Sequence, residues 1–450
     1  MSTHSSPQTL AGRLRAARER TLWHAAALTG GQLLGPRLAS VNPPLWEIAH
    51  VAWFQEYWCL RRRAGDGVAP SLIDNADRMY DSARVAHDTR WDLPLLTFDA
   101  VLRYLEAVLQ RVLECLVREP DNPTLRYFCE LSAAHEEMHC EAFTYTRQTL
   151  GYPALHLRHA VAPTGDPCAG DVTVAGGDFM LGAQRDGRFV FDNEKWAHAI
   201  ELKPFDIART AVTNGEFCAF VDAGGYRRRE FWCTEGWQWR GNAGAEAPVY
   251  WIKQDGQWLH RSYASHEPLP LQAAVIHVNW YEADAWCRWA GRRLPTEAEW
   301  EQAAATAPGN AQDGAGKRTY PWGEHLPEAA RANLYGSCNA VALSAAFSAG
   351  DSAWGCRQMM GNVWEWTADW FEPYPGYARD PYQEYSEPWF GNHKVLRGGC
   401  YATSAALLRN TWRNFYTPDR RDVFAGFRSC AAGRAGIAGV AGLAPADGLA

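Results

Sequence analysis

Two histidines four residues apart in a run of helix formers, AAHEEMHCEAF at 133–143, constrain this chain more than any other feature. On a helix, positions i and i+4 share one face, so His135 and His139 present their imidazoles side by side and can chelate one ion. Two ligands seldom make a tight site, so a third must come from another segment. His50, in WEIAHVAWF, falls mid-helix beside Ile48, Trp53 and Phe54. An imidazole in that company is either a hydrogen-bonded core histidine or a ligand. The paired histidines on a second helix favour a three-histidine metal site of His50, His135 and His139.

The string HEEMH also fits HExxH, the zinc-protease pattern in which Glu136 would be the general base. Its extensions are missing. One version needs a glycine and a histidine where Ala142 and Tyr145 stand, and another needs a glutamate on a following helix, whereas none occurs between Glu141 and Glu194. Three histidines can still hold zinc with a bound water, so a zinc hydrolase stays open at this point, as does a non-catalytic binding protein.

The histidines fall in a part of the chain that reads helical. Segments near 8–28, 44–63, 97–118 and 124–150 carry apolar residues at helical spacing, with Pro43-Pro44 and Asn122-Pro123 as starts and Gly151-Tyr152-Pro153 as a stop. Four such helices make a bundle, a common place for a metal site. From about residue 160, Gly, Trp and short β-like runs dominate, with helices expected at 213–223 and 280–290. The fold class expected is therefore α+β. We divide the chain into a helical metal-binding domain over 1–158, a linker over 159–170, an irregular α+β domain over 171–432 and a disordered Ala/Gly-rich tail over 433–450.

Composition excludes some functions. With a formal charge of -7, the chain lacks the basic balance of a nucleic-acid binder. No run reaches the roughly eighteen apolar residues of a membrane span. The opening residues lack the apolar core of a secretion signal, and the 12 Cys form no CxxC pair. A cytoplasmic protein with reduced thiols, acting on small molecules and not on nucleic acid or membranes, is expected.

WEIAHVAWF followed by HEEMHCE resembles the DinB-like metal domain of the ergothioneine-pathway sulfoxide synthases, whose motif runs HxxxHxE and whose upstream histidine completes the iron site. The strings VTNGEFCAFV, VNWYEADAWCRWAGRRLPTEAEWEQAA, GNVWEWTADWF, VLRGG, WRNFYTP and FAGFR resemble the partner domain of that family, the formylglycine-generating-enzyme-like fold, a variant of the C-type-lectin fold. Most of the Trp, Gly and Arg residues in these strings are expected to hold the scaffold. Cys400 stands alone in VLRGGC, so the copper-binding cysteine pair of true formylglycine-generating enzymes has no counterpart. The resemblance implies an Fe(II) cofactor, O2 as co-substrate, and oxidative bonding of a chalcogen to the imidazole C2 of hercynine. It also implies an active-site tyrosine after GNVWEW, for which FEPYPGY offers Tyr374 and, behind it, Tyr377.

Departures from the family pattern suggest the branch. Met138 stands where a glutamine commonly contacts hercynine, and Asn414 is followed by Phe415 and Tyr416 where the γ-glutamylcysteine-using enzymes carry an aspartate. A phenol in place of a carboxylate removes a partner for an ammonium group. The 80–92 loop supplies Arg84, His87 and Arg90, of which Arg90 matches the arginines that grip γ-glutamyl carboxylates, and His87 is a second candidate contact. A selenosugar has no amino-acid backbone to grip, and its ring face suits aromatic walls. The selenoneine synthase branch is thus the expectation, with the sulfoxide synthase using γ-glutamylcysteine or cysteine as the alternative.

Overall fold

Local punctuation starts and ends the helix that carries the histidine pair. Asn122 accepts the backbone N–H groups of Thr124 and Leu125 at 3.0 and 3.1 Å, and Pro123 fills the first helical position. The helix then runs Pro123–Leu150 and stops at Gly151, whose φ of 66° is left-handed. The computed structural model describes residues 7–62, 67–155, 162–163, 165–309 and 316–433.

The first half is a helical bundle of α1 (Pro7–Ala26), α2 (Pro44–Glu56), the short α3 (Ala76–Tyr80), α4 (Phe98–Arg118) and α5 (Pro123–Leu150). In α4, Val101, Leu105, Val108 and Val112 keep helical spacing and form one buried stripe. By contrast, every residue of α2 is buried, because it packs against both α4 and α5 while α1 lies along α5. Its polar groups must therefore find partners inside. Glu56, for example, accepts from Ser71, Tyr104 and the backbone N–H of Leu72. The second helix ends earlier than its pattern suggests, passing into a π-helical turn at Tyr57–Arg61.

The second half is irregular α+β. One sheet orders β1 (Asp171–Val174), β4 (Phe205–Ala208), β13 (Cys430–Ala431) and β8 (Arg292–Arg293); β2 (Gly177–Leu181) and β3 (His198–Leu202) pair as a ribbon. A second sheet orders β11 (Asn414–Tyr416), β10 (Lys394–Arg397), β9 (Trp364–Trp370) and β12 (Ala425–Gly426), with β12 parallel to β9. A separate meander is formed by β5 (Trp251–Gln254), β6 (Gln257–Ser262) and β7 (Ser265–Pro268). The helices are α6 (Asn214–Asp222), α7 (Thr234–Ala243), α8 (Trp280–Trp289) and α9 (Glu297–Ala305). Thr213, Asn279 and Thr296 start three of them through capping boxes with Glu216, Glu282 and Glu299.

Buried ion pairs tie these elements together. Arg413 reaches Glu297 at 2.7 Å, Arg397 reaches Glu297 and Glu301, and Arg428 forks onto Glu365, which also accepts the Trp300 indole N–H at 2.7 Å. Most charged and aromatic residues of the RRLPTEAEW and GNVWEW strings are thus spent on the scaffold.

Helix α5 belongs to both halves. Glu141 accepts from Trp364 Nε1 at 2.6 Å and Thr403 Oγ1 at 2.5 Å, Tyr127 donates to Asp380 at 2.9 Å, and Arg261 of β6 covers the terminal carbonyls of Gln148 and Thr149. The histidine face of the bundle is thereby held against the second domain. All twelve cysteines are free. Among the described residues, no helix is long and apolar enough to cross a membrane. Part of the expected linker over 159–170 and residues 434–450 of the expected tail lie outside the described residues.

Candidate metal centre

Helices α2 and α5 bring His50, His135 and His139 together, with one ligand atom from each lying within 4.8 Å of the others. The Nε2 atoms of His135 and His139 are 3.2 Å apart, close to the ~3 Å edge expected when two imidazoles sit about 2.1 Å from one ion at a right angle. The other ring nitrogens are turned outward. Nδ1 of His50 faces the carbonyl of Tyr80 at 2.7 Å, and Nδ1 of His139 faces Oε1 of Glu47 at 2.6 Å. Such outer partners fix the tautomer and leave Nε2 free for a metal. His135 is held differently: its ring stacks on Phe54 at 3.6 Å between centroids, and its Nδ1 has no hydrogen-bond partner. Burial drives the His50 and His135 pKa values well below 6.5, and the neighbouring imidazoles add to the effect. Both rings are therefore neutral at pH 7, as metal ligands must be. A set of three imidazoles suits iron(II), zinc, copper or nickel, and leaves positions open for substrates.

Glu136, the general base of the zinc-protease alternative, lies on another face of α5. Its carboxylate accepts from Arg18 at 2.7 and 3.2 Å and from Thr21 at 2.8 Å, all buried against α1. The zinc-protease pattern thus lacks its sequence extensions, and its Glu136 is engaged by Arg18 and Thr21.

The tyrosine expectation needs correcting. Tyr374 is buried with Phe179, Leu181 and Ala298, donates to Glu297 at 3.3 Å and lies under the Arg413 guanidinium. Tyr377 donates to Asp192 at 2.8 Å. Both phenols serve the second domain. The phenol against the histidines is Tyr382, whose ring stands 6.3 Å from that of His135 and 4.9 Å from that of Phe54. Burial, with the charges of Glu384 and Asp81, pushes the Tyr382 hydroxyl well above 10, so it stays protonated. Nothing in the sequence distinguishes it, because a loop closing with a turn at Gln383–Tyr385 delivers it.

The loop residues are also reassigned. His87 Nε2 is engaged by the carbonyl of Val41 at 2.8 Å. Arg90 lies flat over Trp46, 4.0 Å from its ring centroid, and bonds Asn42 and the carbonyls of Val85 and Ser82. It supports the centre from outside, because Trp46 stacks on His50 at 5.0 Å and Asn42 bonds Glu47. A substrate clamp is not what this geometry provides. Glu47 itself had a readable signal: a carboxylate one turn before His50 on an otherwise apolar face must be paired.

Of the remaining candidates, Met138 is half-buried and receives the Tyr385 hydroxyl on its sulfur at 3.7 Å. Phe415 stacks on Phe371 at 4.0 Å and meets Tyr385 edge-on at 5.7 Å. Asn414 turns its oxygen back to the N–H of Phe415 at 2.8 Å, and Tyr416 lies under Arg420. Met138, Tyr385 and Phe415 thus form one aromatic–thioether wall. A separate cleft of about 710 Å³ beside α5 contains none of the three histidines, and its Lys195 and Arg409 are already paired with Asp380 and Glu194.

Comparison with known proteins agrees with this architecture. The DinB superfamily model matches residues 13–142, and the sulfatase-modifying factor enzyme 1-like domain matches residues 158–432. A hercynine oxygenase of Mycolicibacterium thermoresistibile is 39% identical over 397 residues, covering 86% of this chain and 87% of the relative. One from Mycobacterium tuberculosis is 38% identical over 429 residues, covering 94% and 99%. A formylglycine-generating enzyme of Streptomyces coelicolor is 32% identical over 296 residues but covers only 58% of this chain. A two-domain match of this extent, with the histidines on the bundle face that meets the second domain, means that the chain belongs to the hercynine oxygenase family of enzymes.

Proposed function

We propose that this protein catalyses the iron- and O2-dependent joining of hercynine to a small chalcogen donor. The observation that carries the reading is the buried His50–His135–His139 cluster beside the protonated Tyr382 phenol. Bound iron(II) would supply O2 activation and a soft site for sulfur or selenium. The chain's own residues do the rest. Glu47 and the Tyr80 carbonyl orient two imidazoles, Phe54 holds the third, and Tyr382, its ring 6.3 Å from that of His135, supplies the phenolic proton. The wall of Met138, Tyr385 and Phe415 excludes water and offers apolar faces to the reactants.

The likeness to hercynine oxygenases supports the sulfoxide synthase reading, with γ-glutamylcysteine or cysteine as the donor. A second reading, a selenosugar donor, draws on particular residues. Met138 is a soft neighbour for selenium, the 414–416 strand presents Phe415 and Tyr416, and Arg90 is occupied by Trp46 and Asn42. The test is a panel of γ-glutamylcysteine, cysteine and a selenosugar with hercynine, iron(II)-loaded protein and air, read by product mass and O2 uptake. Product with a thiol alone selects the first donor, and product with the selenosugar alone selects the second. No O2 uptake with any donor would overturn the reading as a whole.

A further inference from the structure

One face of α2 carries an unbroken stack of rings. At helical spacing along 46, 50, 53 and 57, Trp46 lies on His50 (5.0 Å between centroids, 7° between planes), His50 on Trp53 (5.7 Å, 23°) and Trp53 on Tyr57 (5.2 Å, 28°). A second route leaves the same site. Tyr382 meets Trp58 at 5.9 Å, and Trp58 meets Tyr57 at 5.2 Å. The two routes, one from a candidate ligand and one from the site's phenol, converge on Tyr57. That residue is half-buried and opens the π-helical turn Tyr57–Arg61, whereas Trp46, Trp53 and Trp58 are at most 4% exposed. Single π-helical turns inside helices are frequently functional.

We propose that this column is an escape route for oxidising equivalents, ending at Tyr57, that spares the histidines when O2 reacts at the site without an organic partner. This rests on the iron–O2 reading above. Charge sets the direction. The Arg90 guanidinium over Trp46 disfavours a radical cation there, whereas Trp53 donates its indole N–H to Asp77 at 2.7 Å, an anion that stabilises one. Asp77 is held ionised by its bidentate pairing with Arg61, which lowers its pKa. An electron vacancy therefore prefers Trp53 to Trp46. Tyr57 fills the vacancy on Trp53 or Trp58 by giving up one electron, while its phenolic proton goes to water. The resulting phenoxyl is neutral, so Arg61, 5.5 Å over the ring, does not repel it. A thiol in solution returns a hydrogen atom to Tyr57, and two such thiyl radicals pair as a disulfide.

Two arms test the route. In the first, metal-free protein is irradiated with a soluble ruthenium photo-oxidant, and oxidation is mapped by peptide mass spectrometry. The mark should collect on Tyr57 in the native chain, and Trp53 and Trp58 should be marked several-fold more in Tyr57→Phe, a change that retains the ring but removes the terminal donor. No mark on Tyr57, or tryptophan marking that Tyr57→Phe leaves unchanged, would overturn the proposal. In the second, iron-loaded protein meets O2 without hercynine or donor. A tyrosyl radical signal should appear, fall in Tyr57→Phe and give way there to oxidised His50 or His135, whereas Trp53→Phe, which leaves the route through Tyr382 and Trp58, should have a smaller effect. If iron binds and O2 is consumed with no such signal, the route is wrong while the iron reading stands. If no iron binds, the iron reading fails and the photochemical arm alone decides the route.

Discussion

Nδ1 of His139 stands 2.6 Å from Oε1 of Glu47, and both groups lie on helices that would otherwise meet through apolar surface. The carboxylate is 2% exposed, and its other oxygen takes the Asn42 amide at 3.3 Å. The pairing orients His139 and leaves its Nε2 facing the other two histidines. Glu47→Gln should keep the fold and lower metal affinity by about 10- to 100-fold, with Glu47→Ala at the worse end. Calorimetric titration of Fe(II), or of Co(II) as a spectroscopic substitute, measures this. Unchanged affinity in both variants would mean that the contact is incidental.

Tyr382 and Tyr374 make opposite predictions. Tyr382→Phe should leave metal binding intact and reduce oxidative turnover by roughly 10²- to 10⁴-fold, the usual range for a lost general acid. Tyr374→Phe should leave turnover near normal and cost about 1 kcal/mol of stability, because only its bond to Glu297 is lost. Steady-state rates and denaturant midpoints separate the two. A Tyr374→Phe enzyme with crippled chemistry and normal stability would contradict the assignment.

The contrast between those tyrosines shows which features could be read from the sequence. The bundle was legible because its signals are local: Asn122-Pro123 opens α5, Gly151 closes it, and i,i+4 spacing puts His135 and His139 on one face. The meander also carried a local signal. Asp255-Gly256, with φ 50° and 79°, is a hairpin turn between β5 and β6. Tyr382 and Arg90 carried none. The position of Tyr382 depends on how its loop crosses to the bundle, while Arg90 was captured by Trp46 and Asn42, more than forty residues away in sequence. Long-range pairing of irregular segments leaves no period behind.

His24 and His277 predict an acid-labile fold. Both are fully buried, and burial brings each pKa from 6.5 to about 3. Their depressed values mean that, below pH 6.5, the unfolded chain binds protons that the folded chain refuses until about pH 3. The folded state is therefore favoured above 6.5 and loses stability as pH falls toward 3. The slope approaches about 1.4 kcal/mol per pH unit for each histidine once the unfolded form is fully protonated. Urea midpoints between pH 7.5 and 4.5 should fall accordingly. His24→Phe, and His277→Asn at its φ of 61°, should each flatten the curve. An unaltered slope in both would place the protonation elsewhere.

Glu141 should hold the two halves together. It lies two residues beyond His139, is fully buried and accepts Trp364 Nε1 and Thr403 Oγ1. Burial raises its pKa, while the two donors oppose the rise by stabilising the anion. In Glu141→Gln the amide presents an NH2 group to one of those donors, so a buried donor goes unpaired. The cost should be about 1–3 kcal/mol, more than for a surface carboxamide change. Trp364→Phe removes a donor and leaves the carboxylate with Thr403, so its penalty combines lost packing with a partly unpaired charge. The two changes act on one contact, and their double mutant should cost less than the sum of the singles. Additive penalties in thermal unfolding would show that Glu141 and Trp364 stabilise the protein independently, and that the helix bearing the histidines is not anchored through this bond.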